Sequence, residues 1–168
     1  STFSKVLSPG MRLGYCVAPP LLARWLIIAK QGADLHTQGL GQAIAALYLS
    51  GGYLNGHLPN IINLYRTRRD AMLTALETHL PSGFTWSQPE GGMFIWVTGP
   101  DGLDTEVLYN QCVQNGVAFV PGKYCYVGTT PRVETLRLNF TMVSPKIIEQ
   151  AIQMIAANIE TLPITHAG

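Results

Sequence analysis

Charge is scarce in this sequence: 11 basic and 10 acidic residues make up 12% of 168 positions and leave a net charge of +1. Dilute, balanced charge excludes a field that would steer polyanions. The nearest thing to a basic run, Arg66, Arg68 and Arg69, reads as a solvated helical stripe beside Asp70 and not as a nucleic-acid site. Cysteine is scarce too. Cys16, Cys112 and Cys125 are odd in number and lack metal-ligand spacing, so neither a disulfide framework nor a metal site is expected, and free thiols suit the cytoplasm. His36 and His57 have no partner at ligand spacing and read as loop or helix-end residues. No apolar run is long enough to span a membrane, because Leu21 to Ala29 is short and is cut by Arg24 and Lys30; no signal peptide is read. What is plentiful is apolar: 47% hydrophobic residues at this length suffice for a globular core.

The chemistry-bearing residues fall closest together in the opening stretch, STFSKVLSPGMRLGY. Thr2 and Ser4 alternate with Phe3 as at the end of a strand. Lys5 follows, and Ser8-Pro9-Gly10 is a strong turn signal. Met11 to Val17 reads as a second strand, so a hairpin-like return would bring Arg12 back toward Lys5. A lysine amine can condense with an aldehyde when its lone pair is freed, and a guanidinium with two hydroxyls offers donors for a phosphate. That set suits a phosphorylated carbonyl cofactor. Read from the residues alone, a plain strand-turn-strand with a solvated lysine fits as well.

Further along, Pro19-Pro20 opens a helix over LLARWLIIAKQGADL, and a small-residue helix follows over Leu40 to Leu49, stopped by Gly51-Gly52. A longer helix is expected from about Leu58 to Leu80, with Pro59 in its first turn. Pro81-Ser82-Gly83 is the clearest break and the best boundary. Beyond it the spacing predicts strands at FTWSQP and MFIWVTG, a helix over Thr105 to Asn115, and strands at VAFVPG and TLRLNFTM. A last helix begins at Ser144-Pro145, with Ile148, Ile152, Ile155 and Ile159 on one face. Strands mixed with covering helices make residues 83 to about 163 an α+β unit.

Within that unit Arg137 sits in an alternating strand, with Leu136, Leu138 and Phe140 on one face and Arg137, Asn139 and Thr141 on the other. A guanidinium held on a rigid strand can grip a carboxylate through two parallel hydrogen bonds. An exposed arginine paired with Glu134 is the competing reading. Gly91-Gly92 allows close approach of a backbone, or simply makes a hairpin turn.

These segments resemble those of the fold-type I aminotransferases that use pyridoxal phosphate. STFSKVLSPGMRLGY is similar to their lysine segment, with Thr2 in the first place, and the spacing of Lys5 to Arg12 is that of the kynurenine/2-aminoadipate branch. EGGMFIW, VAFVPGKYCY and TLRLNFT resemble three small-domain segments. The resemblance implies an α/β fold: residues 1–80 would be the carboxyl-terminal part of the large cofactor-binding domain with its linking helix, and 81–168 the α+β small domain. It implies that Lys5 carries the cofactor and acts in catalysis, that Thr2, Ser4 and Arg12 hold its phosphate, and that Arg137 binds the substrate α-carboxylate. The activity implied is transfer of an amino group from an amino acid to a 2-oxo acid by a homodimer, with no metal, nucleic acid or membrane involved. The family's aspartate that keeps the cofactor nitrogen protonated has no counterpart among Asp34, Asp70, Asp101 and Asp104, so these residues alone are not expected to transaminate. A winged-helix regulator with an aminotransferase-like effector domain is the alternative.

Overall fold

The computed structural model describes residues 1–128 and 131–162. The chain forms two compact units, one of Ser1–Ile62 and one from Asn63 onward.

The first unit opens with two 3-10 turns, Phe3–Lys5 and Pro9–Met11, joined by backbone pairing of Thr2 with Gly14. The return of the chain matches the hairpin-like expectation, but the strands do not. Only an isolated bridge forms, because the Thr2 hydroxyl caps Ser4 N–H and winds Phe3–Lys5 into a turn. Helices α1 (Pro20–Ala33) and α2 (Gly39–Ser50) follow as the spacing predicts. Helix α1 buries none of its residues: Leu21, Leu22, Trp25, Leu26, Ile27 and Ile28 are all exposed.

Helix α3 (Tyr53–His79) starts a turn and a half earlier than expected, with Pro59 inside it. Gly52, at φ 73°, ends the preceding link, and Asn55 N–H bonds to Gly52 O, so a turn is already wound before the proline is reached. Pro59 therefore costs one backbone bond without stopping the helix.

The second unit is a four-stranded antiparallel sheet covered by helices. Its strands are β1 (Thr85–Trp86), β2 (Phe94–Thr98), β3 (Val120–Pro121) and β4 (Thr135–Asn139), in the order β1-β2-β4-β3. All four are shorter than their sequence patterns, β2 by one residue at each end. Pro89 and Gly92, at φ 83°, carry the chain out of the ladder after β1, while Pro121 leads directly into a 3-10 turn at Gly122–Cys125. Asn139 Oδ1 accepts from both Thr141 N–H and Thr141 Oγ1 and curls β4 to an end. Thr141 is consequently buried and does not share the exposed face of Arg137.

The inner face is as the alternation predicts, with Ile95, Val97, Leu136 and Leu138 all buried. Against it lie α4 (Thr105–Gln114) and α5 (Pro145–Thr161) together with the second half of α3, whose Met72, Ala75 and Leu76 complete the core. Ile148, Ile152, Ile155 and Ile159 of α5 are all buried, while its fifth isoleucine, Ile147, is exposed. The Thr105 hydroxyl ties α4 to the sheet through Val133 O and Thr135 O, both at 2.8 Å. The arginine run is not the solvated stripe expected of it. Arg66 is exposed, but Arg68 donates to Thr141 O and Arg69 to Pro89 O at 3.1 Å, so two of the three fasten α3 to loops around the sheet.

Burial separates the three free thiols. Cys112 is fully enclosed, and desolvation pushes its pKa up to about 11, whereas Cys16 and Cys125 are exposed. Native protein at pH 8 should consume two equivalents of iodoacetamide quickly, and a third only in denaturant; a third fast equivalent by mass spectrometry would contradict the packing of α4. Among the described residues no helix is long and apolar enough to cross a membrane, and no cluster of His, Cys, Asp or Glu could hold a metal ion.

Candidate functional site

In the first unit the structure brings Thr2, Ser4, Lys5 and Arg12 onto two turns that pack against each other. Thr2 is the hub. Its hydroxyl lies 2.9 Å from Ser4 Oγ and 3.1 Å from Leu13 O, and accepts from Ser4 N–H. The pairing is completed by Phe3 N–H to Leu13 O at 3.0 Å and Tyr15 N–H to Ser1 O at 2.9 Å. Gly14 is required for that approach, because a Cβ there would stand 2.9 Å from Ser1 O.

Lys5 ends its turn with an exposed side chain that, among the described residues, makes no hydrogen bond or ion pair. Its amine is unencumbered. Arg12 occupies the left-handed region at φ 51° and ψ 40°, a conformation costly for a side chain other than glycine and tending to occur where a side chain must be aimed. Its Nη1 donates to Pro9 O at 3.2 Å, and no other hydrogen bond engages the guanidinium among the described residues. Two hydroxyls, a guanidinium with spare donors and a free amine form a set that fits a phosphate monoester bearing an aldehyde.

In the second unit Arg137 lies on the outer face of β4, directly across from Trp96 on β2 and Val120 on β3. The competing pairing with Glu134 is not made. Glu134 accepts from Arg132 instead, at 2.5 Å. Arg137 Nε is buried and has no hydrogen-bond partner among the described residues, and its Cζ lies 4.3 Å from the centroid of the Phe94 ring. A buried, unpaired guanidinium nitrogen is uncommon, and an anion is one group that could satisfy it.

Two features were not foreseen from the sequence. One is Phe94 itself; the period-2 pattern of FIWVT, aligned with that of TLRLN, could have placed it on Arg137's face. The other is a clamp on the turn after β3, where Glu106 near the start of α4 accepts from Lys123 Nζ and from Tyr124 OH. Those two bonds hold the Glu106 carboxyl below its ordinary range and push the Lys123 and Tyr124 pKa values up. A lowered carboxyl pKa means that the clamp's contribution is full at neutral pH and lost only as pH falls through that value. Tyr126, just beyond the turn, packs edge-on against Trp96 with ring centroids 5.9 Å apart.

The chain matches the family described as aminotransferase class I and II over residues 1–155. It is 47% identical over 159 residues to aromatic-amino-acid aminotransferase 1 of Thermococcus litoralis, covering 95% of this chain and 38% of that protein. A multiple substrate aminotransferase from Thermococcus profundus superposes with a TM-score of 0.90 at 48% identity, over 95% of this chain and 39% of that one. The α-aminoadipate aminotransferase LysN from Thermus thermophilus, solved with N-(5'-phosphopyridoxyl)-L-leucine, gives 0.89 at 36%, over 95% and 40%. The chain thus spans about two fifths of the length of these relatives.

Proposed function

Because this chain belongs to the class I and II aminotransferases, we propose that it is the carboxyl-terminal part of a pyridoxal-phosphate-dependent transaminase that moves an amino group from an amino acid to a 2-oxo acid. On this reading residues 1–80 are the end of the large cofactor-binding domain with α3 as its link, the second half of α3 packing into the core of the second unit, and 81–168 are the small domain, whose residues 129–130 and 163–168 lie outside those described. The observation that carries the reading is the free Lys5 amine on a turn whose neighbours, Thr2, Ser4 and Arg12, are phosphate donors.

Pyridoxal phosphate, when bound, supplies an aldehyde that condenses with amines and a ring that accepts electrons. Thr2 and Ser4 would hold the phosphate through their hydroxyls, and Arg12 through its unengaged N–H groups. Lys5 would hold the cofactor through Nζ. The same Nζ, when free, would take the α-proton of the amino acid as a base and give a proton back as an acid, one residue serving both transfers because it stays in reach. Arg137 orients the amino acid by its carboxylate, so the α-carbon and not another carbon presents its proton.

Activity belongs to the complete polypeptide, since the family's partner for the cofactor nitrogen has no counterpart in these residues. The six exposed apolar side chains of α1 support completion of this unit by further chain and by a second subunit of a homodimer. The likeness to an aromatic-amino-acid enzyme makes phenylalanine the first donor to try. Complete polypeptide given pyridoxal phosphate, L-phenylalanine and 2-oxoglutarate should form glutamate, with parallel double-reciprocal lines when both substrates are varied. Cofactor absorbance without glutamate from any amino donor would point to the sensing role of a regulator.

A further inference from the structure

The geometry points to Phe94 as a positioning residue that sets the angle of the Arg137 guanidinium. This rests on the reading of Arg137 as the carboxylate-binding group. Strand register places Phe94, Trp96, Arg137 and Asn139 on one face: Phe94 pairs with Asn139 and Trp96 with Arg137, so Phe94 is the diagonal neighbour of the arginine. Diagonal neighbours on a sheet are within reach of long and aromatic side chains. The contact is made, with Arg137 Cζ 4.3 Å from the Phe94 ring centroid.

Ordinarily hydrogen bonds fix a guanidinium. Here they do not. Arg137 Nε has no partner among the described residues, the nearby Glu134 carboxylate is taken by Arg132, and the Trp96 ring directly opposite is engaged by Tyr126. Among the described residues, the contact that can hold the group is the one with the Phe94 ring. A guanidinium stacked on a ring by its face keeps its in-plane N–H edge for a carboxylate fork, so positioning and binding need not compete.

Removing the ring should therefore weaken the grip on every amino acid alike, whatever its side chain. In the complete enzyme, Phe94→Leu should raise KM for L-alanine and for L-phenylalanine by the same factor, about three- to thirtyfold. The value of kcat should stay within about twofold, cofactor affinity should not change, and Phe94→Tyr should restore both KM values. Phe94→Met, which keeps side-chain length without a π-face, should repeat the leucine result and stands in if that variant folds poorly. Unchanged KM values would overturn the role, as would a rise for phenylalanine alone, which marks direct substrate contact, or a tyrosine variant as impaired as leucine. Arg137→Lys is measured alongside. If it leaves both KM values unchanged, the carboxylate reading itself fails; if it raises them while Phe94→Leu does not, only the positioning role fails.

Discussion

Lys5→Ala should lower amino-group transfer by about 10⁴-fold or more and abolish the visible absorbance of lysine-bound cofactor after dialysis. The size follows from the two duties of one nitrogen: a proton-transfer group alone contributes roughly 10²–10⁴, and the covalent hold adds to it. The first unit gives no substitute. Lys5 is the lysine on the paired turns, while Lys30, the other lysine of the first unit, is tied to Asp34 by bonds of 2.7 and 2.9 Å. The phosphate-binding set proposed at Thr2, Ser4 and Arg12 remains in the variant, so cofactor should still bind, but reversibly. A visible band that survives dialysis would remove Lys5 from the mechanism.

Arg137→Leu should raise KM for amino acids by about 100-fold or more and leave cofactor affinity untouched. Two charge-assisted hydrogen bonds to a carboxylate contribute roughly 1.5–3 kcal/mol each, and the sheet holds the arginine so that little of this is spent on ordering it. Leucine suits the site sterically, since Arg137 stands between Trp96 and Val120 and against Phe94. Equal loss of cofactor and substrate affinity, measured by absorbance titration and steady-state kinetics, would show instead that the substitution disturbs the sheet.

The legible parts of this fold are those where one local rule decides. Ile148, Ile152, Ile155 and Ile159 of α5 keep their spacing and are buried, and Ile95, Val97, Leu136 and Leu138 alternate inward as written. Elements decided by a competing side chain were not legible. The Thr2 hydroxyl turns an extended start into a 3-10 turn, Asn139 ends β4 early, and a turn wound at Gly52–Asn55 lets α3 pass through Pro59. Arg68 and Arg69 read as surface because their acceptors, Thr141 O and Pro89 O, are backbone atoms 73 and 20 residues away. The candidate residues were legible because they fall in short strings with fixed spacing. Phe94 was not, because its part depends on which strands pair and in which register.

If Arg12 holds the phosphate as proposed, its backbone sets durability against turnover. Glycine would adopt φ 51° without strain and relieve about 1 kcal/mol, but it would leave the Pro9–Met11 corner with no cation. Variants ranked only by heat resistance would drift toward glycine there and so toward a firmer loop with a weaker hold on its phosphate. A laboratory lineage bred for endurance would shed this arginine early, and its loss would show first as a need for more vitamin-derived cofactor in the medium.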